Sequence, residues 1–281
     1  MRQRLYYSSD LFANYSYDAV ADQGQFKLHT HSFAEILLFL KGKAIFHVEG
    51  SSYPMQPGDI FITRPTEAHY VEVSPDIPYE RMVVNFDFSL LENMQTGAQL
   101  LQPFLGRDAG QLNRYRAEDF PDSRYAEHIQ DLRRYPEDRL ASIADLILCL
   151  TEINRQFHVQ KDTADQPNTL ENRIIGYINC NLWKPLSLEM LCQIFFVSRA
   201  QLCRRFQKAT GSSVGRYITA KRLLHAQQMI QKGYKPTEVH TLCGFQDYST
   251  FYRAFTKYFG CSPKDECLRS PAPDNNRQLI P

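Results

Sequence analysis

Residues 186–211 read LSLEMLCQIFFVSRAQLCRRFQKATG, and residues 239–263 read VHTLCGFQDYSTFYRAFTKYFGCSP. These are one pattern written twice. Leu202, Arg204, Phe206, Lys208, Gly211 and Ser213 stand 49 positions before Phe251, Arg253, Phe255, Lys257, Gly260 and Ser262. Ahead of the turn the offset drops to 48, pairing Leu191 with Val239, Ile194 with Leu242 and Phe196 with Gly244. The second turn is therefore one residue longer. Each copy has a polar cap, helical apolar spacing, a turn, and a second capped helix carrying basic side chains, which is the pattern of a helix-turn-helix. Two such units on one chain can read two stretches of DNA, so the pattern predicts a transcription factor.

In the first unit Ser187 caps a helix whose first turn carries Glu189, and Leu188, Leu191 and Phe195 form its buried face. Val197-Ser198 makes the turn. Ser198, with Gln201 three residues on, forms a capping box for a helix over Arg199–Ala209 that buries Leu202 and Phe206. In the second unit Thr237 is the expected cap, with Val239 and Leu242 inward. Gly244 sits at the turn, where a positive φ costs glycine little. Asp247 caps a helix over Tyr248–Tyr258 that buries Phe251 and Phe255. Arg199, Ala200, Cys203, Arg204 and Gln207 are left towards the outer side of the first recognition helix, with Gln201 at its edge. On the second, Tyr248, Ser249, Tyr252 and Arg253 face out or sideways. A protruding Arg near a helix N-terminus suits the O6/N7 edge of guanine, whereas Lys208 and Lys257 are better placed for phosphates.

Val214–Lys232 reads as one long connecting helix, with Tyr217, Leu223, Leu224, Ala226 and Ile230 apolar. Nineteen residues at ~1.5 Å rise span roughly 28 Å. Successive major-groove faces lie about 34 Å apart along one side of a duplex. One stiff rod can thus hold both recognition helices in neighbouring grooves.

Charge agrees with this division. Residues 1–90 carry 7 Lys/Arg against 11 Asp/Glu, residues 91–170 carry 9 against 13, and residues 171–267 carry 14 against 6. A basic module on an acidic body suits phosphate binding by one end only.

The front half reads differently. Ile36–Leu40, Ala44–Val48, Ile60–Thr63, Tyr70–Val73 and Arg81–Phe88 are short apolar or alternating runs cut by Gly and Pro turn signals, which predicts a β barrel or jelly roll. Helices follow. Within Arg139–Phe157, Leu140, Ile143, Ala144, Ile147, Leu150 and Ile153 recur at helical spacing. That stripe suits either packing on the chain's own barrel or a helix–helix dimer seam. The fold class is therefore α+β and multidomain: an N-terminal β jelly roll with following helices over 1–160, a linker over 161–169, an all-α double helix-turn-helix over 170–268, and a disordered tail over 269–281.

The start of the chain has no apolar run resembling a signal peptide, and no run approaches the ~20 residues of a membrane span. The seven cysteines contain no C-x-x-C pair and are expected to be reduced and mostly buried, with neither a disulfide nor a zinc framework. A cytoplasmic location without membrane contact is the expectation.

The C-terminal segments quoted above resemble the arabinose-regulator (AraC/XylS) family of bacterial transcription factors. The G-F-x-x-x-S-x-F-x-R-x-F core and the closing G-x-S-P carry the resemblance. It implies that Ala200, Gln201 and Arg204, then Tyr248, Ser249, Thr250 and Arg253, lie at the DNA. One departure is His240, where the family usually has a small residue beneath the recognition helix.

The front half is similar to the cupin-like sugar-sensing domain of the same family. His29-Thr30-His31, Glu35 and Gly42 fit the first cupin motif. Pro65-Thr66-Glu67-Ala68-His69 resembles the second, with Glu67 where a glycine is usual. His29, His31, Glu35 and His69 are the candidate ligand-binding residues. Two readings stay open for them. The favoured one is a polar lining that bonds an organic effector's hydroxyls, with Phe33, Phe39 and Tyr70 as aromatic walls. The alternative is a three-His, one-carboxylate metal set, as in a metal-dependent cupin enzyme. The resemblance implies a regulator, not an enzyme, with no cofactor and no catalytic residues. It binds promoter DNA, senses a small molecule such as a sugar, works as a homodimer and as an activator, and has RNA polymerase as a further candidate partner. A DNA binder without ligand control is the remaining alternative.

Overall fold

The computed structural model describes residues 2–8, 10–22, 26, 28–120, 124–131, 138–163 and 169–265. The front half is a sandwich of two antiparallel sheets. Its strands are β1 (Arg2–Tyr7), β2 (Leu11–Asp18), β3 (Ala34–Lys41), β4 (Ala44–Val48), β5 (Ser51–Pro54), β6 (Ile60–Thr63), β7 (His69–Val73), β8 (Tyr79–Phe86) and β9 (Arg114–Tyr115). One sheet runs β1-β2-β8-β3-β6-β9 and the other β5-β4-β7. The turn signals placed five strands within two residues. β1, β2, β5 and β9 went unread, because short strands rich in Tyr, Ser and Asn carry little apolar alternation.

Period-two alternation sorts the larger sheet's side chains. Ala34, Ile36 and Leu38 of β3, Ile60 and Ile62 of β6, and Met82, Val84 and Phe86 of β8 face a helical layer. Leu37, Phe39 and Phe61, with Tyr79 and Val83 of β8, face the second sheet, where Phe46 and Val71 meet them. The helical layer comprises α1 (Ser89–Glu92), α2 (Gly97–Leu100), α3 (Gln102–Leu105), α4 (Tyr125–Asp131) and α5 (Arg139–Thr163). α5 covers the sheet with Leu146, Cys149, Leu150, Ile153 and Phe157. Of the stripe expected on it, Leu140 is 79% exposed. The helix also continues to Thr163, three residues into the expected linker. Residues 164–168 and the expected tail lie outside the described residues.

The back half is wholly helical: α6 (Leu170–Cys180), α7 (Leu188–Phe195), α8 (Arg199–Thr210), α9 (Val214–Gln231), α10 (Pro236–Leu242) and α11 (Tyr248–Phe259). Two cores flank α9. Leu191, Leu202, Phe206 and Tyr217 share one with Ile174, Ile175 and Ile178 of α6. Val239, Phe251, Phe255 and Phe259 share the other with Leu223, Leu224 and Ala226. No helix among the described residues is long and apolar enough to cross a membrane. Among the cysteines Cys149 and Cys243 are buried thiols, but Cys180 and Cys203 are exposed, and Cys261 is disulfide-bonded, against the expectation for each.

Phe196 ends α7 in the left-handed region at φ 54°, and its side chain is 94% exposed. The equivalent position in the second unit is Gly244, at φ 79°. Left-handed backbone costs a side-chain-bearing residue ~1–2 kcal/mol, and glycine's extra freedom when unfolded costs ~0.5–1 kcal/mol. Phe196→Gly is therefore expected to stabilise the chain by about 0.5–1 kcal/mol. Urea unfolding checks this; a lower midpoint would contradict the strain reading.

Candidate nucleic-acid interface and sensor site

The caps of both helix-turn-helix units are those that the sequence suggested, with one exception. Ser187 accepts from Met190 N, Ser198 and Gln201 form the reciprocal capping box, and Asp247 accepts from Thr250 N. The exception is α10, where Lys235 and not Thr237 is the cap residue and Pro236 opens the helix. Proline at that position gives up an N–H that would have no helical partner. Leu242, expected inward, is 52% exposed; Cys243 and Phe245 fill the core there instead.

On α8 the outward residues Arg199, Ala200, Gln201, Arg204 and Lys208 are all exposed. On α11 Ser249, Thr250, Arg253 and Lys257 are exposed, and Tyr248 is half-buried. Not all of these side chains are free of the protein. Arg199 Nη1 lies 3.6 Å from Glu189 Oε1, and Thr250 Oγ1 donates to Asp247 at 2.8 Å. Arg253 Nε makes a long bond of 3.4 Å to Ser249 O. Arg205, beside Arg204, is committed to Glu171 at 2.6 Å and braces α8 against α6. His240 fits beneath α11: its Nδ1 lies 2.8 Å from Thr237 O, and its ring meets Tyr248 edge-on at 5.6 Å. The surrounding aromatic rings thus accommodate the imidazole without loss of the unit's core.

The four sensor residues converge. The rings of His29, His31 and His69 lie within 6.0 Å of one another, centroid to centroid. His31 Nε2 is 3.2 Å from Glu35 Oε2, and His69 Nε2 is 3.5 Å from Glu35 Oε1. Strand register explains the meeting. Glu35 opposes Thr63 on β6 and Asn85 on β8, and paired residues share a face. His29 and His69 are backbone partners in a two-residue bridge, with each N–H donating to the other's carbonyl at 3.0 Å. Burial alone would raise the Glu35 pKa, but the neighbouring His31 and His69 imidazoles hold it well below the usual carboxylate value. Burial alone would lower that of His69, and Glu35 raises it. The site therefore keeps an ionised carboxylate among imidazoles.

This end of the sandwich is polar but under-bonded. Asn85 Nδ2 donates to Glu35 at 3.2 Å. Among the described residues, His69 Nε2, Thr63 Oγ1 and Asn85 Oδ1 are buried without a hydrogen-bond partner. Such groups cost roughly 1–3 kcal/mol each unless something polar meets them. An organic ligand's hydroxyls would do so. The donor set also suits a borderline divalent cation, since one ring nitrogen from each histidine lies within 4.8 Å of the others and Glu35 supplies oxygen. Thr63 and Asn85 were missed from sequence. Their signal was a polar residue in a largely apolar strand, at the end of Ile60–Thr63 for Thr63 and within Arg81–Phe88 for Asn85.

Two expected aromatic walls lie elsewhere. Phe39 packs in the apolar layer against Tyr79, and Tyr70 stacks on His47 at 4.3 Å, facing the helical half. Phe33 stays near the site, edge-on to Phe12. Glu67, the departure from the second motif, braces the loop before His69. It receives both Arg107 Nη atoms at 2.7 Å and Gly110 N at 3.0 Å.

The architecture is that of a ligand-binding β sandwich fused to a DNA-binding double helix-turn-helix. Residues 15–117 match the model of the AraC-like ligand binding domain, and residues 191–266 match that of a helix-turn-helix domain. The chain belongs to the arabinose-regulator (AraC/XylS) family of transcriptional regulators, whose members are DNA-binding proteins. The HTH-type transcriptional activator RhaR of Klebsiella pneumoniae is 26% identical, over 90% of this chain and 92% of its own. The probable transcriptional regulator LumQ of Photobacterium leiognathi is 27% identical, over 84% and 89%. The crystal structure of ToxT from Vibrio cholerae O395 covers 94% of this chain and 100% of its own at 12% identity, with a TM-score of 0.40.

Proposed function

We propose that this chain is a cytoplasmic, homodimeric activator that binds a small polyhydroxylated molecule, most simply a sugar, and reads promoter DNA with α8 and α11 in successive major grooves. Residues 1–160 sense and dimerise, and residues 170–268 bind DNA, in contact with RNA polymerase. Arg204 and Arg253 read bases, assisted by Ala200, Gln201, Tyr248, Ser249 and Thr250, while Arg199, Lys208 and Lys257 hold phosphates. The similarity to a protein named as an activator supports that part of the reading.

One observation carries the sensor assignment: unbonded polar atoms of His69, Thr63 and Asn85 gather around Glu35 at one end of the sandwich. A sugar offers vicinal hydroxyls that both donate and accept, which matches an ionised carboxylate, imidazoles and an amide oxygen. The effector then shifts an equilibrium between DNA-competent and incompetent arrangements. The test is a thermal-shift screen of a carbohydrate library. A ligand at 100 times its Kd stabilises by about 2.7 kcal/mol, and the same ligand is expected to change operator affinity. Equal DNA affinity with and without every stabilising ligand would remove the sensor reading.

A second reading rests on the clustering of the three ring nitrogens. In it His29, His31, His69 and Glu35 hold a divalent cation, which supplies a Lewis-acid centre for effector oxygens. Metal analysis of the purified protein separates the two: one equivalent lost in His31→Ala and His69→Ala supports the cation, and its absence supports the organic ligand alone.

A further inference from the structure

We infer that the two loops carrying His29 and His69 couple the sensor site to the DNA-binding half, with Glu49 as the clamp that holds α9 to them. The inference rests on the sensor reading of that site and adds how its occupancy reaches the DNA-binding helices.

The His29–His69 bridge has two sides. Its imidazoles gather around Glu35, whereas the flanking residues turn away from it. Leu28 and Ala68 are buried in the core of the first helix-turn-helix unit, beside Ile174, Ile175, Ile178 and Phe206. Tyr70 packs there too, 3.5 Å from where a side chain on Gly211 would begin. A shift of either histidine must therefore move an apolar residue within the other domain's core, and close-packed cores transmit such shifts.

The clamp ties the same loop to α9 by charge. Glu49 accepts from Ala68 N at 2.6 Å, from Asn179 Nδ2 of α6 at 3.2 Å, and from Tyr217 Oη and Lys221 Nζ of α9. Lys221 also donates to Thr66 O at 2.5 Å. The Glu49 side chain is fully buried and that of Lys221 is 7% exposed. The turn is shaped for this contact: Gly50 has φ +84°, and a Cβ there would fall 2.4 Å from Ile175 Cδ1. Two buried charges cannot part by small degrees without leaving one unpaired in low dielectric. The contact therefore has two arrangements, engaged or released, as a switching element requires.

Room and leverage are both present. A cavity of about 140 Å³ lies beside the clamp, lined by Thr66, Glu67, Asn179 and Lys221 among others, so the interface is not filled on that side. Tyr217 and Lys221 occupy the half of α9 nearest the first unit, and Leu223, Leu224 and Ala226 on the next turn belong to the core of the second. A tilt of α9 at the clamp changes how the two recognition helices sit relative to one another.

Amide hydrogen exchange on the full chain, without effector or DNA, tests the coupling. Four proteins are compared: wild type, Glu35→Gln, the double variant Glu49→Gln/Lys221→Met, and the triple combination. The double variant removes both charges together and leaves no lone buried ion to unfold the protein; Lys221→Met alone serves as a second check. The double variant is expected to speed exchange at residues 66–69 and 217–221 by about tenfold or more. Glu35→Gln is expected to change exchange at 217–221, on the far side of the interface, in the wild-type background only. A purely structural role for the clamp would not make that effect depend on Glu49 and Lys221. Unchanged exchange at 217–221 in Glu35→Gln, or an equal change in both backgrounds, overturns the inference. Such a failure leaves the sensor reading intact, because that reading falls only if no ligand alters DNA affinity.

Discussion

Arg107→Ala is expected to destabilise the chain by about 3–5 kcal/mol, because it removes one partner of a fully buried ion pair. The guanidinium is 0% exposed and the Glu67 carboxylate 1%. Both Nη atoms donate to Glu67 at 2.7 Å, and Nε donates to Pro103 O at 2.8 Å. Without Arg107 the carboxylate keeps bonds from Arg64 N, Gly110 N and Asn113 Nδ2 and the part-exposed Arg64 guanidinium at 3.9 Å. Glu67→Gln/Arg107→Met is expected to cost less than the single change, since neither charge is then stranded. The pH dependence carries a definite sign. Burial alone would raise the Glu67 pKa, but the Arg107 charge and bonds pull it from 4.5 to about 2. A depressed folded-state pKa gives stability that is present above 4.5 and lost as pH falls toward 2. The deficit of Arg107→Ala is therefore largest at neutral pH and shrinks as the acid range is entered. Urea melts at several pH values check both statements; a deficit independent of pH would contradict them.

The second large effect concerns DNA. Arg204→Ala and Arg253→Ala are each expected to weaken a specific site by about 1–3 kcal/mol. The two lie on separate helices with separate cores, so the double variant is expected to lose roughly the sum. Lys208→Ala and Lys257→Ala are expected to weaken all sequences alike and to lower the salt dependence by about one ion each. Titration of labelled duplex measures all four. Unchanged binding in both arginine variants would contradict their placement on the DNA face.

The helical half was legible in the sequence because its determinants are local. Caps at Ser187, Ser198 and Asp247, the glycine after each recognition helix, and apolar residues at helical spacing all act within a turn or two of chain. Where the sequence reading slipped, longer-range packing had decided. Leu242 repeats the position of Ile194, and both are exposed; Phe245, like Val197 in the first unit, enters the core after the helix has ended. The sensor residues His29, His31, Glu35 and His69 were legible as a motif, but their partners Thr63 and Asn85 arrive through strand register. Register is a property of pairing between distant segments. The clamp was invisible for the same reason. Glu49 sits in an ordinary-looking Glu-Gly turn and Lys221 on a basic helix, where a solvated charge is the natural expectation. Only the docked domains turn them into a buried pair. Tyr70 shows the converse: assigned to the sensor site as an aromatic wall, it faces the helical half because its strand neighbour His69 takes the inward position.

The most direct measurement is selection of binding sequences by the full chain from a pool of random double-stranded DNA. The expected result is a site with two conserved segments whose centres lie about one helical turn, 10–10.5 base pairs, apart, one losing its conservation in Arg204→Ala and the other in Arg253→Ala. A site with a single segment, or no enrichment and no salt-sensitive binding, would contradict the reading of two helix-turn-helix units on one rigid connecting helix.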